Sequence, residues 1–325
     1  MLQKGEGKMK RLVVVLVLCA ALVSVSVPSF AVYFREGYFS NDFIMSKNLS
    51  KSQIDLSAQL EYTNLTEIYV NNTGGIFVPA QQVFKQNTLT VVPLKMAYGI
   101  TNDLSVRITL PLISWQYYMF DHPAINGYGL GDIRMEGLYN ISKENGNMPS
   151  VAVNAGVKAA SGKNWDLTGK NEYPTGTGST DLWISGIFTK KLWGLDGKGL
   201  VGYYFSGTNP LRGNNFLPGT ELLCSASLSC SKGQFEYGGE LWGSFAGPTK
   251  LIVPGAHPDE MVENSETSVI TFSPYVNYKM SDSFLLKAVV DIPFEMPAPT
   301  GGSATFLSLD IMRGYTFTIG ATWTI

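Results

Sequence analysis

The sequence predicts an all-β transmembrane protein: an antiparallel up-and-down barrel of about twelve strands, preceded by a cleaved signal peptide. Three observations support this fold class. Apolar and polar residues alternate at period two over stretches of about 9–11 residues, the length that a tilted strand needs to cross a bilayer. Charged residues make up only 15% of the 325-residue chain, against roughly 25% in soluble domains. The connections between these stretches are alternately short and long, as in outer-membrane barrels.

The N-terminus has the three parts of a secretory signal peptide. Basic residues precede an apolar run from Leu12 to Val27, and Ser29-Phe30-Ala31 forms a small-x-small cleavage site. The alternative is a transmembrane anchor, but this run is shorter than the about 20 residues that a spanning helix needs. We therefore predict a signal peptide over residues 1–31, an N-terminal segment over 32–51 and an outer-membrane barrel over 52–325.

The hairpin Leu89–Leu112 shows the repeating unit most clearly. Each arm has one apolar face, and Thr101-Asn102-Asp103 connects the arms as a tight turn. The predicted first strand, Ser52–Tyr62, also alternates strictly, and a long loop, Asn64–Asn87, separates it from the hairpin. The other predicted strands are Gly131–Ile141, Val151–Ala159, Asp181–Leu192, Leu200–Gly207, Glu221–Cys230, Phe235–Phe245, Glu266–Lys279, Phe284–Pro293 and Arg313–Ile325.

The connections predict how the barrel is oriented. An even number of strands places both termini at the short-turn end, which is periplasmic in outer-membrane barrels. Gly194–Gly199 is predicted as one of the short turns, and Ser114–Tyr128 as an aromatic outer loop. An interfacial aromatic girdle is expected at the short-turn end, and the aromatic residues near that end are Tyr98, Tyr139, Trp193, Tyr278, Phe284 and Trp323.

Charged residues occupy the strand face opposite the apolar one, so we expect them to line the lumen. One interpretation is a polar constriction that selects solutes, and the other is an ion-pair lattice that holds a narrow barrel in shape. The mixture of signs argues against strong selectivity for anions or for cations. The candidates are Lys95, Arg107, Asp132, Arg134, Glu136, Lys158, Glu236, Glu240, Lys287 and Asp291, with Asp55 and Glu61 on the same face.

A second candidate site is the aromatic run in the predicted outer loop, which contains Trp115, Tyr117, Tyr118 and Phe120. These side chains can capture apolar compounds at the mouth of the barrel. They are equally consistent with an outer aromatic girdle.

The sequence gives little support for catalysis or metal binding. The two histidines, His122 and His257, lie in different predicted outer loops, and no Gly-x-Ser-x-Gly motif occurs. No His, Cys and carboxylate spacing resembles a metal site. We therefore predict no catalytic residue, no metal and no cofactor.

The net charge of −2 gives no indication of nucleic-acid binding. On one strand Cys224 and Cys230 would lie about 20 Å apart, so we expect both to be free.

Two motifs resemble a known outer-membrane family. YGITNDLSVRITLPL (Tyr98–Leu112) and GLGDIRMEGLYNI (Gly129–Ile141) are similar to the paired signatures of the "meta-pathway of phenol degradation" family of transporter-like β-barrels. The resemblance implies a porin-like channel for passive uptake or efflux of small hydrophobic or aromatic compounds. The alternatives are a non-transporting surface or structural barrel and an outer-membrane enzyme. The expected partners are outer-membrane lipid, a small-molecule solute and the barrel-assembly machinery.

The N-terminal segment Val32–Lys51 fits no strand, yet it is rich in aromatic residues, in which disordered segments are poor. After cleavage of the signal peptide it begins beneath the barrel mouth. Its aromatic side chains need an apolar surface, which the lumen, the membrane interface or another strand can offer. By analogy with hydrophobic-compound channels of similar outline, which use an N-terminal plug, we predict that the segment enters the lumen and restricts the pore.

Overall fold

A computed structural model describes residues 47–65, 67–71, 77–78, 87–117, 125–164, 167–168, 172, 174–211, 214–247, 250–252, 260–261, 267–295, 309–312 and 315–325. The predicted signal peptide and residues 32–46 of the predicted N-terminal segment lie outside these ranges.

Within the described residues, twelve strands form one closed antiparallel barrel, as predicted. Each strand pairs with the next one in the chain. The first and last strands also pair, from Asp55↔Thr324 to Thr63↔Thr316, and this pairing closes the barrel. The strands are β1 (Ile54–Leu65), β2 (Asn87–Gly99), β3 (Leu104–Tyr117), β4 (Arg134–Ser142), β5 (Ser150–Lys158), β6 (Asp181–Leu192), β7 (Leu195–Phe205), β8 (Glu221–Lys232), β9 (Phe235–Ala246), β10 (Thr267–Lys279), β11 (Phe284–Glu295) and β12 (Thr316–Thr324).

Short and long connections alternate along the barrel, as the sequence predicts. The short ones are residues 100–103, 143–149, 193–194, 233–234 and 280–283. The chain enters β1 and leaves β12 at this same end, where the amide of Ile54 donates a hydrogen bond of 3.0 Å to the carbonyl of Ile325. Both ends of the barrel chain therefore lie on the short-turn side.

The predicted turn Gly194–Gly199 is wrong, because Leu192 already pairs with Leu195. Only Trp193 and Gly194 form the turn, with φ angles of 53° and 86°. Positive φ at both central residues is typical of a type I′ turn, whose twist matches that of the flanking strands. The pairing of β6 with β7 therefore continues through Gly197 and Gly199, which the glycine-rich composition had assigned to a turn.

Two predicted outer loops also contain strand structure. The loop predicted over Ser114–Tyr128 begins inside β3, and the short strand Ile125–Leu130 pairs with the outer part of β3. The loop predicted over Asn64–Asn87 overlaps the last residues of β1 and the start of β2. Two small sheets lie within the long connections, one of Glu67–Asn71, Phe77–Val78 and Leu309–Met312, the other of Asn209–Leu211, Asn214–Leu217, Lys250–Ile252 and Glu260–Met261.

The two faces of the barrel invert the pattern of a soluble protein. Large apolar side chains point outward, such as Met96 and Ile319, which are 50% and 66% exposed. Polar side chains such as Ser105 and Asn154 are buried inside. Apolar surface of this extent is expected where lipid covers it. Four of the predicted girdle residues, Tyr98, Tyr139, Trp193 and Trp323, are among the exposed aromatic side chains near the short turns, and Cys224 and Cys230 are free.

In the part of the chain that the structure describes, no helix is long and apolar enough to cross a membrane.

Candidate functional site: the barrel lumen

Two of the predicted lumenal charges, Arg107 and Glu136, lie on one wall of the barrel and are linked by polar contacts to Asn154 and Trp183. Arg107 on β3 pairs with Glu136 on β4, its partner in the strand register. The amide nitrogen of Asn154 donates to the other oxygen of Glu136 at 2.8 Å. The indole N–H of Trp183 in turn donates to the amide oxygen of Asn154 at 2.9 Å. One continuous polar chain therefore crosses β3 to β6.

A second network lies nearer the long-loop end and is centred on Lys158. Its Nζ lies 2.6 Å from Oδ2 of Asp181 and 3.4 Å from Oδ2 of Asp132. These three side chains are at most 4% exposed. The hydroxyl of Tyr204 donates to Asp181 at 2.6 Å. The loss of either partner from a buried ion pair leaves an uncompensated charge, so this network holds the wall in a single arrangement.

Asp132 also fastens the long connection between β5 and β6 to the barrel. Its Oδ1 accepts from the amides of Ser161 at 3.1 Å and Gly162 at 2.9 Å. Its Oδ2 accepts from the amide and the hydroxyl of Thr177 at 2.8 and 2.9 Å. Both arms of this connection are therefore tied to one buried carboxylate at the outer end of the lumen.

The same connection carries an exposed ion pair. Lys163 and Glu172 lie 2.6 Å apart. The hydrogen bond and charge of Glu172 raise the pKa of the Lys163 amine above its ordinary value. Both groups are partly solvated, so this pair contributes little to stability.

Of the remaining predicted lumenal charges, all but Arg134 lie on strands outside this wall. Lys95 donates to Gln59 at 2.9 Å, and Asn277 donates to Glu236 at 3.0 Å. Ser273 donates to Asp291 at 2.5 Å, whereas Lys198 lies 3.9 Å from Glu240. Arg134 is buried on β4, and Lys287 faces Gly320 in the register of β11 and β12. The ten candidates are therefore distributed over several separate contacts around the barrel.

Sequence reasoning missed an apolar cluster inside the lumen. Leu138 and Ile187 are 0% and 1% exposed, on strand positions that face inward. The indole of Trp183 stacks on the ring of Tyr204, with ring centroids 6.0 Å apart and planes inclined by 7°. The signal was present in the sequence as apolar residues on the polar face of β4 to β8. The full cluster is Leu49, Ala97, Leu138, Ala152, Trp183, Ile187, Leu200, Tyr204 and Leu223.

Two glycines make room for aromatic rings on the inner wall. A Cβ atom at Gly156 would lie 2.1 Å from a ring atom of Trp183, its register partner on β6. A Cβ atom at Gly238 would lie 2.3 Å from the ring of Tyr275 on β10. Each ring therefore occupies the space of a missing side chain, which keeps it against the wall.

The chain just before β1 closes against the short-turn end of the lumen. The amide of Leu49 donates to the hydroxyl of Ser105 at 2.9 Å, and the amide of Lys51 donates to Asn102 at 3.0 Å. The Leu49 side chain is 2% exposed and belongs to the lumenal cluster. The end of the predicted N-terminal segment thus reaches the cluster, while residues 32–46 lie outside the described residues.

The prediction for the loop aromatics is wrong for Trp115. This residue lies in β3 on the inward face and is 6% exposed. The strand extends further than predicted, so period two carries Ile113 and Trp115 into the lumen. Trp115 is therefore neither a loop residue nor part of a lipid-facing girdle. Tyr117 ends β3, whereas Tyr118, Phe120, His122 and His257 lie outside the described residues.

Among the described residues, no group of His, Cys, Asp and Glu side chains is arranged to hold a metal ion.

No family model and no curated protein matches the chain. Among solved structures, the chain is similar to an outer membrane channel from Pseudomonas putida F1, with a TM-score of 0.65 at 11% identity, over 88% of this chain and 99% of that one. It also aligns with the translocator domain of the autotransporter NalP from Neisseria meningitidis, with a TM-score of 0.43 at 9% identity, over 85% of this chain and 89% of that one. The same score and identity relate it to the TodX deltaS2S3 mutant monoaromatic hydrocarbon channel, over 85% of this chain and 90% of that one.

The first of these similarities covers nearly the whole of both chains, so it bears on the complete barrel. The fold implied by the resemblance of Tyr98–Leu112 and Gly129–Ile141 to the phenol-degradation family is therefore supported. The protein has the fold of an outer-membrane β-barrel.

Proposed function

We propose that the protein is a channel in the bacterial outer membrane for the passive movement of small hydrophobic or aromatic compounds. The observation that carries this proposal is the apolar cluster in the lumen, with its stacked Trp183 and Tyr204. The motif resemblance of Tyr98–Leu112 and Gly129–Ile141 points in the same direction.

The cluster suits apolar solutes better than sugars. Transfer of apolar surface out of water contributes about 25 cal/mol per Å², and aromatic solutes gain further from stacking on aromatic rings. Leu138 and Ile187 are almost fully buried, so a solute reaches them only by displacing their neighbours. A sugar that did so would lose hydrogen bonds to water and gain none in return. An aromatic compound therefore enters this cluster at a lower cost than a sugar.

The networks of Arg107 with Glu136 and of Lys158 with two carboxylates support the lattice interpretation for these residues. Their opposite charges lie in contact, and their side chains are fixed by neighbouring polar groups. In this role they hold the wall on which the apolar cluster is built. They do not need to touch the solute.

Ion current through purified protein in planar bilayers tests the proposal. We expect phenol to interrupt the current at concentrations at which glucose has no effect, because phenol occupies the apolar cluster. Trp183→Ala removes a ring contact of about 0.5–1.5 kcal/mol, which is equivalent to about a twofold to tenfold weaker block. Trp193→Ala is the matched control, since this tryptophan lies in a short turn and is 55% exposed.

A folded barrel without ion current would reject the channel and favour the non-transporting surface barrel. Equal block by glucose and phenol would reject the apolar specificity alone. The proposal also implies that the barrel has no enzymatic activity, and turnover of ester or peptide substrates by the purified protein would contradict it.

A further inference from the structure

The charges of the lumen are distributed unevenly around the barrel. On β3 to β6, carboxylates are matched by cations: Glu136 pairs with Arg107, and Lys158 lies between Asp132 and Asp181. The charges on this wall largely cancel. The apolar cluster lies on the same side, mainly on β4 to β8.

Carboxylates outnumber cations on the opposite side of the lumen. In a closed barrel of twelve strands taken in order, β9 to β12 and β1 face β3 to β7. We call the inward carboxylates on these strands the acidic arc. Among the described residues they are Asp55, Glu61, Glu236, Glu240 and Asp291, and the amines on or near these strands are Lys287 on β11, Lys95 on β2 and Lys198 on β7. The sequence shows a mixture of positive and negative lumenal side chains because it combines two walls: one in which the charges balance and one in which carboxylates are in excess.

Neutral groups donate hydrogen bonds to several carboxylates of the acidic arc. Asn277 donates to Glu236 at 3.0 Å, Thr324 to Asp55 at 2.7 Å and Ser273 to Asp291 at 2.5 Å. A neutral donor adds no positive charge to the arc. Glu240 also lies 3.9 Å from Lys198, so the excess of carboxylates is a property of the whole arc and not of each side chain.

A buried hydroxyl on the acidic arc also points to a solute. Thr318 is the register partner of Glu61 across β12 and β1, and it is only 2% exposed. Its hydroxyl has no hydrogen-bond partner among the described residues. A buried polar group of this kind is normally satisfied. An ammonium group in the lumen can donate to this hydroxyl and to the neighbouring carboxylate.

We propose that the lumen prefers solutes that combine a cationic amine with an apolar or aromatic body. This inference rests on the proposed channel function and narrows its substrate class. The amine lies toward the acidic arc, and the apolar body lies against the wall of Trp183 and Tyr204, whose ring faces also attract cations. A lumenal potential of about one kT enriches monovalent cations about threefold over bulk solution.

Reversal potentials in a potassium chloride gradient give the first test. We expect K⁺ to permeate at least about threefold better than Cl⁻ through the purified protein in planar bilayers. The double variant Glu236→Gln, Glu240→Gln should move this ratio toward one. Asp282→Asn is the matched control: it removes a carboxylate from an exposed short turn, outside the lumen, and should leave the ratio unchanged.

Three aromatic compounds of similar size give the second test. We expect benzylamine to block the ion current most strongly at pH 7, benzyl alcohol less and benzoate least. Equal permeation of K⁺ and Cl⁻, or block by benzoate that equals block by benzylamine, would overturn the inference.

The outcomes also separate this inference from the channel proposal. If benzyl alcohol blocks as strongly as benzylamine, the cation preference fails and the channel for apolar compounds stands. If the folded wild-type barrel carries no current, both fail. The wild-type measurements decide the question even if the double variant does not fold.

Discussion

At the scale of single residues, Gly156 determines where Trp183 can lie. A Cβ atom would come within 2.1 Å of the indole ring. We therefore expect Gly156→Ala to displace the indole, break its 2.9 Å hydrogen bond to Asn154 and destabilise the barrel by roughly 1–3 kcal/mol. Urea unfolding followed by tryptophan fluorescence measures the effect. In the matched control Gly137→Ala, the nearest atom would lie 3.8 Å from the new Cβ, and equal destabilisation of both variants would contradict this packing.

The lumenal wall of Arg107, Glu136 and Lys158 was predictable because period two alone decides which side chains share a strand face. Asp181 was missed, since it begins a strand and the alternation extends only to one side of it. Leu49 was beyond prediction for another reason. Its burial depends on a contact with Ser105, distant in sequence, which no local pattern encodes.

At the scale of elements, the connection between β5 and β6 depends on Asp132. This carboxylate accepts four hydrogen bonds from Ser161, Gly162 and Thr177. Asp132→Asn replaces one accepting oxygen with a donor and removes a charge near Lys158, so we expect a loss of roughly 1–3 kcal/mol. The amides of Gly162 and Thr177 should then exchange hydrogen faster, as measured by hydrogen–deuterium exchange.

Glu172→Gln is the control for this prediction, because it lies in the same connection but belongs to an exposed ion pair with Lys163. Its expected effect on stability is small, because both groups of this pair are partly solvated. Unchanged exchange in Asp132→Asn would show that the connection is held by other contacts.

The strands themselves were predictable, but their ends were not. The turn after Leu192 shows why: glycine-rich composition favoured a turn over Gly194–Gly199, yet two residues with positive φ suffice. Likewise, Trp115 belongs to β3 because Ile125–Leu130 pairs with the outer part of that strand. Strand ends depend on such pairing partners, whereas the alternation that reveals a strand is local.

At the scale of the whole molecule, the outward face should behave as a surface in lipid. Ile319 and Ile325 share the outward face of the last strand and its end, at 66% and 60% exposure. Ile319→Arg lies nearer the centre of the span and should cost about 2–4 kcal/mol, whereas Ile325→Arg at the short-turn end should cost about 0–1 kcal/mol. Folding into lipid vesicles from urea, without assembly machinery, gives both values. Equal costs would mean that this face does not cross the bilayer.

The closure of the short-turn end gives the last prediction. Leu49 lies in the lumenal cluster, and the barrel ladder begins only at Ile54. Deletion of residues 32–51 should therefore raise single-channel conductance, since it removes Leu49 but leaves the pairing of β1 with β2 and β12.

A control deletion of residues 32–46 retains Leu49 and its hydrogen bond to Ser105. If only the longer deletion raises conductance, residues 47–51 restrict the pore; if both do, the preceding segment is the plug. Unchanged conductance in both folded variants would exclude either restriction, and failure of the longer variant to fold would make residues 47–51 a structural part of the barrel.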